Sequence, residues 1–336
     1  MISAAKPNAA VCRHSVGRYS GAERFAQVTV LMSTYQGERF VTQQVLSILD
    51  QLPPTGALII RDDGSTDNTV ERVKAIADSR ITVVEGSNIG FCASFFALIA
   101  MAPEDAKAYF LADQDDVWLD DKIGRAVSWL ASVQTGTAAL YCSRLKIVDE
   151  SLNPRGLSPS GLGRSAFVRA LSENIVVGCT AAFNSVARRL ILKTGDQSKI
   201  YFHDWWIYLV VSAFGNVHFD PKPCVLYRQH DSNVLGMGSG IFRYLTMARF
   251  IARQDFVRIM FEQADNLLTA HGERLSHDQR AIIRNYFDRR SRRSMVRLAC
   301  ARRKLRRRWL DDLLLRALVF FAASSPLPNG DQHAIG

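Results

Sequence analysis

The chain predicts an α/β fold built on a mostly parallel, doubly wound sheet flanked by helices. Two observations carry that expectation. Short apolar runs alternate with helical patterns through the first half of the chain, and two of those runs end in clustered aspartates. The run Ala108–Ala112 delivers Asp113, Gln114, Asp115 and Asp116 to its C-terminal end. Leu58–Ile60 runs into Arg61, Asp62 and Asp63, followed by Gly64, Ser65, Thr66 and Asp67. Ligands of open α/β sheets bind beyond the carboxyl ends of the strands, so paired acids at two such ends mark one edge as a site.

The elements follow in chain order. Residues 1–26 carry no apolar core segment and are broken by Lys6, Arg13, Arg18, Glu23 and Arg24. They read as a disordered extension rather than a secretory signal. Val28–Ser33 is the first expected strand, ending at Thr34, Tyr35, Gln36 and Gly37. A helix follows on Val41, Val45, Ile48 and Leu49. Gly64 permits a tight turn after the second strand, and Ser65 or Thr66 can cap the helix marked by Val70, Val73, Ile76 and Ala77. Ile81–Glu85 and Ala138–Val148 read as strands. Phe91–Met101 is apolar on nearly all faces and predicts a buried helix. Asp149–Gly163, rich in Ser, Pro and Gly, reads as a loop, either an ordinary surface loop or one able to close over a bound ligand. Ile175–Phe183 predicts a strand beneath an acceptor site. His203 and Asp204 open a helix to Phe214, and a last strand, Cys224–Arg228, ends at His230.

Three carboxylates within four residues repel one another, and at least one pKa should rise unless a cation neutralises them. Hard oxygen donors of this kind suit Mg²⁺ or Mn²⁺, ions that usually bring phosphates with them. An acidic turn capping the next helix would use the same residues.

Composition sets the remaining bounds. The 336 residues suffice for one large core plus an appendage. A hydrophobic share of 48% and a charged share of 22% are those of a soluble globular protein. No uncharged apolar run reaches the roughly eighteen residues of an ordinary membrane span. Cys12, Cys92, Cys142, Cys179, Cys224 and Cys300 are scattered without a CxxC pair, which points to reduced thiols in a cytoplasmic protein without structural zinc.

The C-terminal part differs. Phe242–Leu268 shows helical apolar spacing. From residue 289 to 308, eleven of twenty residues are Arg or Lys and none is acidic. An apolar stretch, Trp309–Ala322, follows. Much of the net charge of +10 lies here and not in the sheet domain. A basic block beside an apolar helix predicts attachment of residues 289–322 to an anionic membrane surface. Nucleic acid is not expected as a partner, because no recognition module is visible and aromatic interleaving is missing.

Ser33–Gly37, Asp62–Asp67, Asn88–Gly90 and Ala112–Asp116 occur in order at compatible spacings. Together they resemble the nucleotide-sugar-binding half of a family 2 inverting glycosyltransferase of the GT-A fold. His203–Trp206 and Tyr227–His230, with Asn233 following, are similar to the bacterial rhamnosyltransferase-like branch. The resemblance covers Gln27–Gly236. It implies a transferase domain over 27–236, with a nucleotide-sugar half (27–148) and an acceptor half (149–236), ahead of a helical, basic tail (237–336). It also implies transfer of a sugar, L-rhamnose from dTDP-rhamnose best, onto a lipid-linked or polysaccharide acceptor. The work would be done at the cytoplasmic face of the membrane.

The same resemblance distributes roles. Asp62 or Asp63 could accept from the imide N–H of a uracil or thymine ring, and the resemblance favours Asp63. Thr34 and Tyr35 would line the base pocket, with Tyr35 able to stack. Asp113 would bind the ribose or sugar and Asp115 the metal. Asp116 would cap a helix and support the site, with Trp118 packed beneath. Asp204 would be the base that takes the acceptor proton. Trp205 and Trp206 could offer a sugar platform, although core packing is the alternative. His230 would complete the metal shell or touch the diphosphate, and Arg228 would pair with phosphate. Sugar-phosphate nucleotidyl transfer is disfavoured because no Gly-rich basic phosphate loop follows the first strand. An inactive scaffold of a glycan assembly complex is disfavoured because Asp63, Asp113, Asp115 and Asp204 are all present.

Overall fold

The computed structural model describes residues 27–160, 167–230, 256–302 and 304–324. The order is β1 (Val28–Thr34), α1 (Val41–Leu49), β2 (Ala57–Asp62), α2 (Thr69–Lys74), β3 (Ile81–Glu85), α3 (Phe91–Met101), β4 (Ala108–Ala112), β5 (Val117–Trp118) and α4 (Lys122–Ser132). Then come β6 (Ala138–Ser143), β7 (Lys146–Val148), β8 (Pro154–Leu157), α5 (Phe167–Ala170), β9 (Ala182–Phe183), α6 (Ser185–Ile191), α7 (His203–Phe214), β10 (Gly215–Asp220) and β11 (Val225–Arg228). Helices α8 (Phe256–His271), α9 (His277–Tyr286), α10 (Arg292–Ala299) and α11 (Trp309–Ser324) complete the described chain.

Seven strands form the central sheet in the order β10-β6-β9-β4-β1-β2-β3. Its neighbours pair in parallel except at β9, which runs antiparallel between β4 and β6. A smaller sheet, β5-β11-β7-β8, lies apart from it. Strands covered on both faces must be apolar on both, and the continuous runs in β1 and β4 meet that need. Alternation then sorts their side chains. Leu31, Tyr109 and Leu111 join one buried cluster, while Val30, Met32, Phe110 and Ala112 join the other. The first cluster lies with α3, α6 and α7, the second with α1 and α4. The basic C-terminal region is not a detached tail. Met260, Phe261, Leu298, Leu305, Leu315 and Val319 belong to the same apolar cluster as Trp206 of α7.

Several local expectations change. Ala138–Val148 is two strands, because the chain leaves the large sheet after Ser143 and enters the small one at Lys146. Ile175–Phe183 is no long strand. A 3-10 turn at Gly178–Thr180 precedes the two-residue β9, which fits only as a short wedge between β4 and β6. The turn is tight against α7, where a Cβ on Gly178 would lie 2.7 Å from His203 Nε2. The loop from Asp149 contains β8, which pairs with β7. Ser65 and Thr66 do not cap α2, which starts after Asn68. Gly64 does take the left-handed conformation its turn needs, at φ 84°. Of Phe242–Leu268, residues 242–255 lie outside the described residues, and the helix beyond them runs on to His271.

The α7-to-β10 corner tolerates no side chain. A Cβ on the extended Gly215 would sit 2.0 Å from the Ala138 carbonyl oxygen in the neighbouring strand. Gly215→Ala should therefore lower stability by about 1–3 kcal/mol, as forced overpacking does. Urea unfolding reads this, and an unchanged midpoint would contradict the close β10–β6 approach.

Candidate active site

Strand register brings the site together. β1 lies between β2 and β4, with Thr34 level with Asp62 and Met32 level with Ala112. The turns after β1, β2 and β4 therefore open at one edge of the sheet. Thr34 Oγ1 donates to Asp62 Oδ1 at 2.8 Å, and Asp62 also accepts from the Ser65 amide and hydroxyl, both at 2.7 Å. Asp62 thus closes its own turn. Asp63 is buried as well. It accepts from the backbone N–H groups of Ile89 at 3.0 Å and Gly90 at 2.9 Å, and pairs with Arg61. Arg61 in turn donates to Ser94 Oγ of α3 at 3.1 Å and to the Ser87 carbonyl at 3.0 Å. Tyr35, at the end of β1, is 49% exposed, and Ile89 and Phe91, after β3, are exposed as well. The Gln114 amide clasps the Tyr35 backbone, accepting from its N–H at 2.8 Å and donating to its carbonyl at 2.9 Å. A Cβ at Gly37 would fall 2.2 Å from Gln114 Oε1, so that clasp requires the glycine.

Below this rim lie the acids. One ligand atom each of Asp113, Asp116 and Cys179 lie within 4.8 Å of one another. Burial first, then the charges of Asp115 and Asp204, pushes the Asp113 carboxyl up to about 7. Burial, followed by Asp115 and Asp113, holds Asp116 well above the usual carboxylate range. Asp116 Oδ1 accepts from the Arg228 amide at 3.1 Å, while its buried Oδ2 has no partner among the described residues. Asp115 Oδ2 meets His230 Nε2 at 2.7 Å, and that ring stacks on Phe40 with centroids 5.4 Å apart. An orphaned buried oxygen among clustered carboxylates, with an imidazole at the edge, is a donor set that fits a divalent cation. The Cys179 thiol is pushed up by burial and then by the Asp116 charge, so it stays protonated and makes a poor ligand.

The third wall is the start of α7. Asp204 lies in its first turn and accepts from the Trp205 amide at 2.7 Å. The helix is entered at Phe202, so Asp204 is not its N-cap. Burial pushes the Asp204 carboxyl up to about 6, opposed by hydrogen bonds from Trp205, the Asn174 side chain and Gly178. Its charge acts on Asp113, so the two acids reach one space from different elements. His203 beside it is buried, stacked on Phe95 at 4.1 Å, and pushed down to about 3 by burial, so it remains neutral.

Three expectations need correction. Trp205 and Trp206 are 3% and 0% exposed, and their indole N–H groups donate to the carbonyls of Ala170 and Ile191. They are core residues of a helix buried on nearly every side, not a sugar platform. Arg228 is also spent inside the protein. Its guanidinium donates to the Asp115 carbonyl at 2.7 Å, to Gln43 Oε1 at 2.7 Å and to the Glu150 carbonyl. Pairing with phosphate would break those bonds. Asp116 caps no helix, because α4 begins only at Lys122, and Asp116 instead anchors the β11 backbone. Sequence reasoning passed over Lys122. It is fully buried, donates to the Cys179 carbonyl, lies 3.7 Å above the Trp118 ring centroid and faces Asp113 and Asp116. Nothing in its sequence context marks it, whereas Gln114 could have been read from its place inside the acidic motif.

Arg228→Leu separates a brace from a ligand. Several charged hydrogen bonds, each worth about 1.5–3 kcal/mol, would be lost and their acceptors stranded. Stability should drop by at least about 3 kcal/mol in chemical unfolding. A full-stability variant that had lost only nucleotide affinity would reverse the correction.

Residues 29–231 match the family model described as glycosyl transferase family 2. Among curated relatives, the dTDP-rhamnosyl transferase RfbG of Shigella flexneri is 28% identical over 223 residues, covering 61% of this chain and 73% of that protein. WfgD of Escherichia coli, a UDP-Glc:alpha-D-GlcNAc-diphosphoundecaprenol beta-1,3-glucosyltransferase, is 22% identical over 192 residues, covering 56% and 71%. Among solved structures, S. aureus TarS 1-349 in complex with UDP-GlcNAc superposes with a TM-score of 0.56 at 15% identity. It covers 88% of this chain and 79% of its own, a likeness of fold.

Proposed function

Because the chain belongs to glycosyl transferase family 2, we propose that it is an inverting rhamnosyltransferase. It moves L-rhamnose from dTDP-rhamnose onto a lipid-linked acceptor of cell-surface glycan synthesis, at the cytoplasmic face of the membrane. What supports the reading is the placement of Asp204 in the first turn of α7, near enough for its charge to act on Asp113 after β4. The printed activity of the 28% relative supports the donor, and the diphosphoundecaprenol-linked substrate in the name of the 22% relative supports the acceptor class.

Each wall has a task in that reaction. Tyr35, Ile89 and Phe91 offer apolar rim surface to the base, above Asp63. Asp63 is fixed by Arg61 and two backbone amides, and its remaining lone pairs can accept an imide N–H. Asp113 accepts from ribose or sugar hydroxyls in this reading. A divalent cation held by Asp115, His230 and their carboxylate neighbours would neutralise charge on the departing nucleoside diphosphate. Asp204 takes the proton of the attacking hydroxyl. A carboxyl pushed up to about 6 is still ionised at neutral pH, yet basic enough to be a useful proton acceptor.

A donor-hydrolysis screen across UDP-, GDP- and dTDP-sugars with Mg²⁺ or Mn²⁺ tests the assignment. dTDP-rhamnose should give the fastest release of nucleoside diphosphate, and preference for another donor would sink the sugar. Asp204→Asn keeps the side-chain volume and should slow transfer by about two to four orders of magnitude. Nucleoside diphosphate affinity should stay within a few-fold. Because the base must be ionised, wild-type kcat/KM should rise with pH through about 6 and then level off, a limb the variant lacks. Retained rate, or donor affinity lost together with rate, would exclude Asp204. Asp115→Ala should abolish the response of turnover to Mn²⁺ while the melting temperature holds, since one charge leaves a self-repelling cluster. Wild-type turnover that EDTA still inhibits would refute the metal role.

A further inference from the structure

A cavity lies between the sheet domain and the C-terminal helices. Its volume is about 280 Å³, and it is lined by Arg144, Pro159, Ser160, Glu173, Arg307, Arg308 and Asp311. Arg307 is tied to Glu173, its backbone N–H donating at 3.0 Å and its Nε at 3.1 Å. Arg144 donates to the Ser158 carbonyl. The exposed Arg308 side chain makes neither hydrogen bond nor ion pair among the described residues. Three guanidinium groups against two carboxylates leave the cavity cationic, and guanidinium is the side-chain group best matched to phosphate oxygens.

Helix α11 leaves directly from this cavity. At about 100° per residue, Trp309, Leu310, Leu313, Leu314, Phe320 and Phe321 fall within one arc of about 140°. All six are exposed, Trp309 by 67%, Leu313 by 58% and Phe321 by 68%. The opposite face, with Leu315, Val319 and Ala323, is buried against the domain. The outer stripe, from Trp309 to Phe321, is about 18 Å long at 1.5 Å per residue. Arg292, Arg293, Arg297, Arg302 and Lys304 stand exposed on the chain leading into it. A second copy of the chain would set these cations against their own kind. An anionic, apolar partner is complementary to both features at once.

We propose that the arginine cavity binds the phosphate of a lipid-phosphate acceptor and that the outer face of α11 carries its hydrocarbon chain at the membrane surface. This rests on the glycosyltransferase reading and deepens it. The cavity is joined to the base by a short segment. Ser172 Oγ donates to the Leu305 carbonyl at 2.7 Å, Arg306 Nε donates to the Ser172 carbonyl at 3.2 Å, and Glu173 holds Arg307. The next residue, Asn174, hydrogen-bonds Asp204. A phosphate seated at Arg308 therefore lies beside the stretch of chain, Ser172–Asn174, that reaches Asp204.

Liposome flotation of the full chain tests the proposal with three vesicle types. These are phosphatidylcholine alone, phosphatidylcholine with a polyprenyl monophosphate, and phosphatidylcholine with phosphatidylserine at equal charge. Binding should be tightest to the polyprenyl phosphate vesicles. Arg308→Gln should weaken that binding about tenfold, the worth of one charge-assisted hydrogen bond, and leave phosphatidylserine binding as it was. Leu313→Gln with Phe320→Gln should weaken binding to both anionic vesicles. Both sets of changes are on the surface, and unchanged melting temperatures would show that the fold is kept. Equal affinity for the two anionic vesicles, untouched by Arg308→Gln, would overturn the phosphate site in favour of a general anionic surface. A dimer in sedimentation that Leu313→Gln with Phe320→Gln dissolves, with no vesicle binding, would overturn the lipid as occupant. Wild-type donor hydrolysis separates this proposal from its premise. Hydrolysis without lipid binding removes only the lipid site, whereas lipid binding without hydrolysis of any donor removes the transferase.

Discussion

Carboxylate repulsion is the constraint around which the rest of this structure is arranged. Asp113, Asp115, Asp116 and Asp204 come together from one strand-end turn and one helix start, and burial raises at least three of them. A cluster of this kind weakens a fold unless cations or donors face it. The chain supplies Lys122 from beneath, His230 from the side and the Arg228 amide from β11. None of these neutralises every charge, and Asp116 Oδ2 is left without a partner among the described residues. The residual imbalance is the physical content of the site, because a nucleotide-sugar site handles the charge of a departing diphosphate most readily with a cation, and unbalanced acids are what hold one.

Such a site must also be kept from relaxing. Arg228 ties the acidic turn, through the Asp115 carbonyl, to Gln43 of α1 and to the Glu150 carbonyl of the next loop. Gln114 does the same for the rim by gripping the Tyr35 backbone. Arg61 fixes Asp63 while reaching Ser94 of α3. Each brace runs from one strand-end turn to a different element. The acids are therefore held by the sheet and its helices together, and moving any one of them costs bonds elsewhere.

What could be read in the sequence, and what could not, divides along these lines. Strand ends, the Phe91–Met101 helix and the acidic motifs were legible because hydrophobic period and residue type report them locally. That Asp63 and the Asp113–Asp116 turn open at one edge of the sheet follows from the parallel pairing of β1 with β2 and β4, which the alternating pattern implies. Arg228, Trp205 and Trp206 were misassigned for one reason. Arg and Trp beside an acidic motif look like ligand groups, but whether a guanidinium or indole N–H faces solvent or a backbone carbonyl is settled only by distant chain, such as Glu150, Ala170 and Ile191. Lys122 was invisible because nothing local shows that its ammonium turns inward to the Cys179 carbonyl, fifty-seven residues away. The broken strand at Ile175–Phe183 failed because apolar content alone cannot show that only a two-residue wedge fits between β4 and β6.

The basic C-terminal region changes meaning most when seen in place. As sequence, residues 289–308 form a charge block that could be a solvated tail. In the fold, Arg306 and Arg307 turn inward onto Ser172 and Glu173, Leu305 is buried, and Asp312 accepts from the backbone N–H groups of Leu305 and Arg306 at 2.6 and 2.9 Å. The segment Ser172–Asn174 is thus held on one side by Asp204, through Asn174, and on the other by the helices that carry the exposed apolar stripe. Only a few residues separate that stripe from the contacts that reach the Asp204 carboxylate. The C-terminal helices therefore pack, through Leu305, Arg306 and Arg307, on the segment next to Asp204, although the matched family region ends at residue 231.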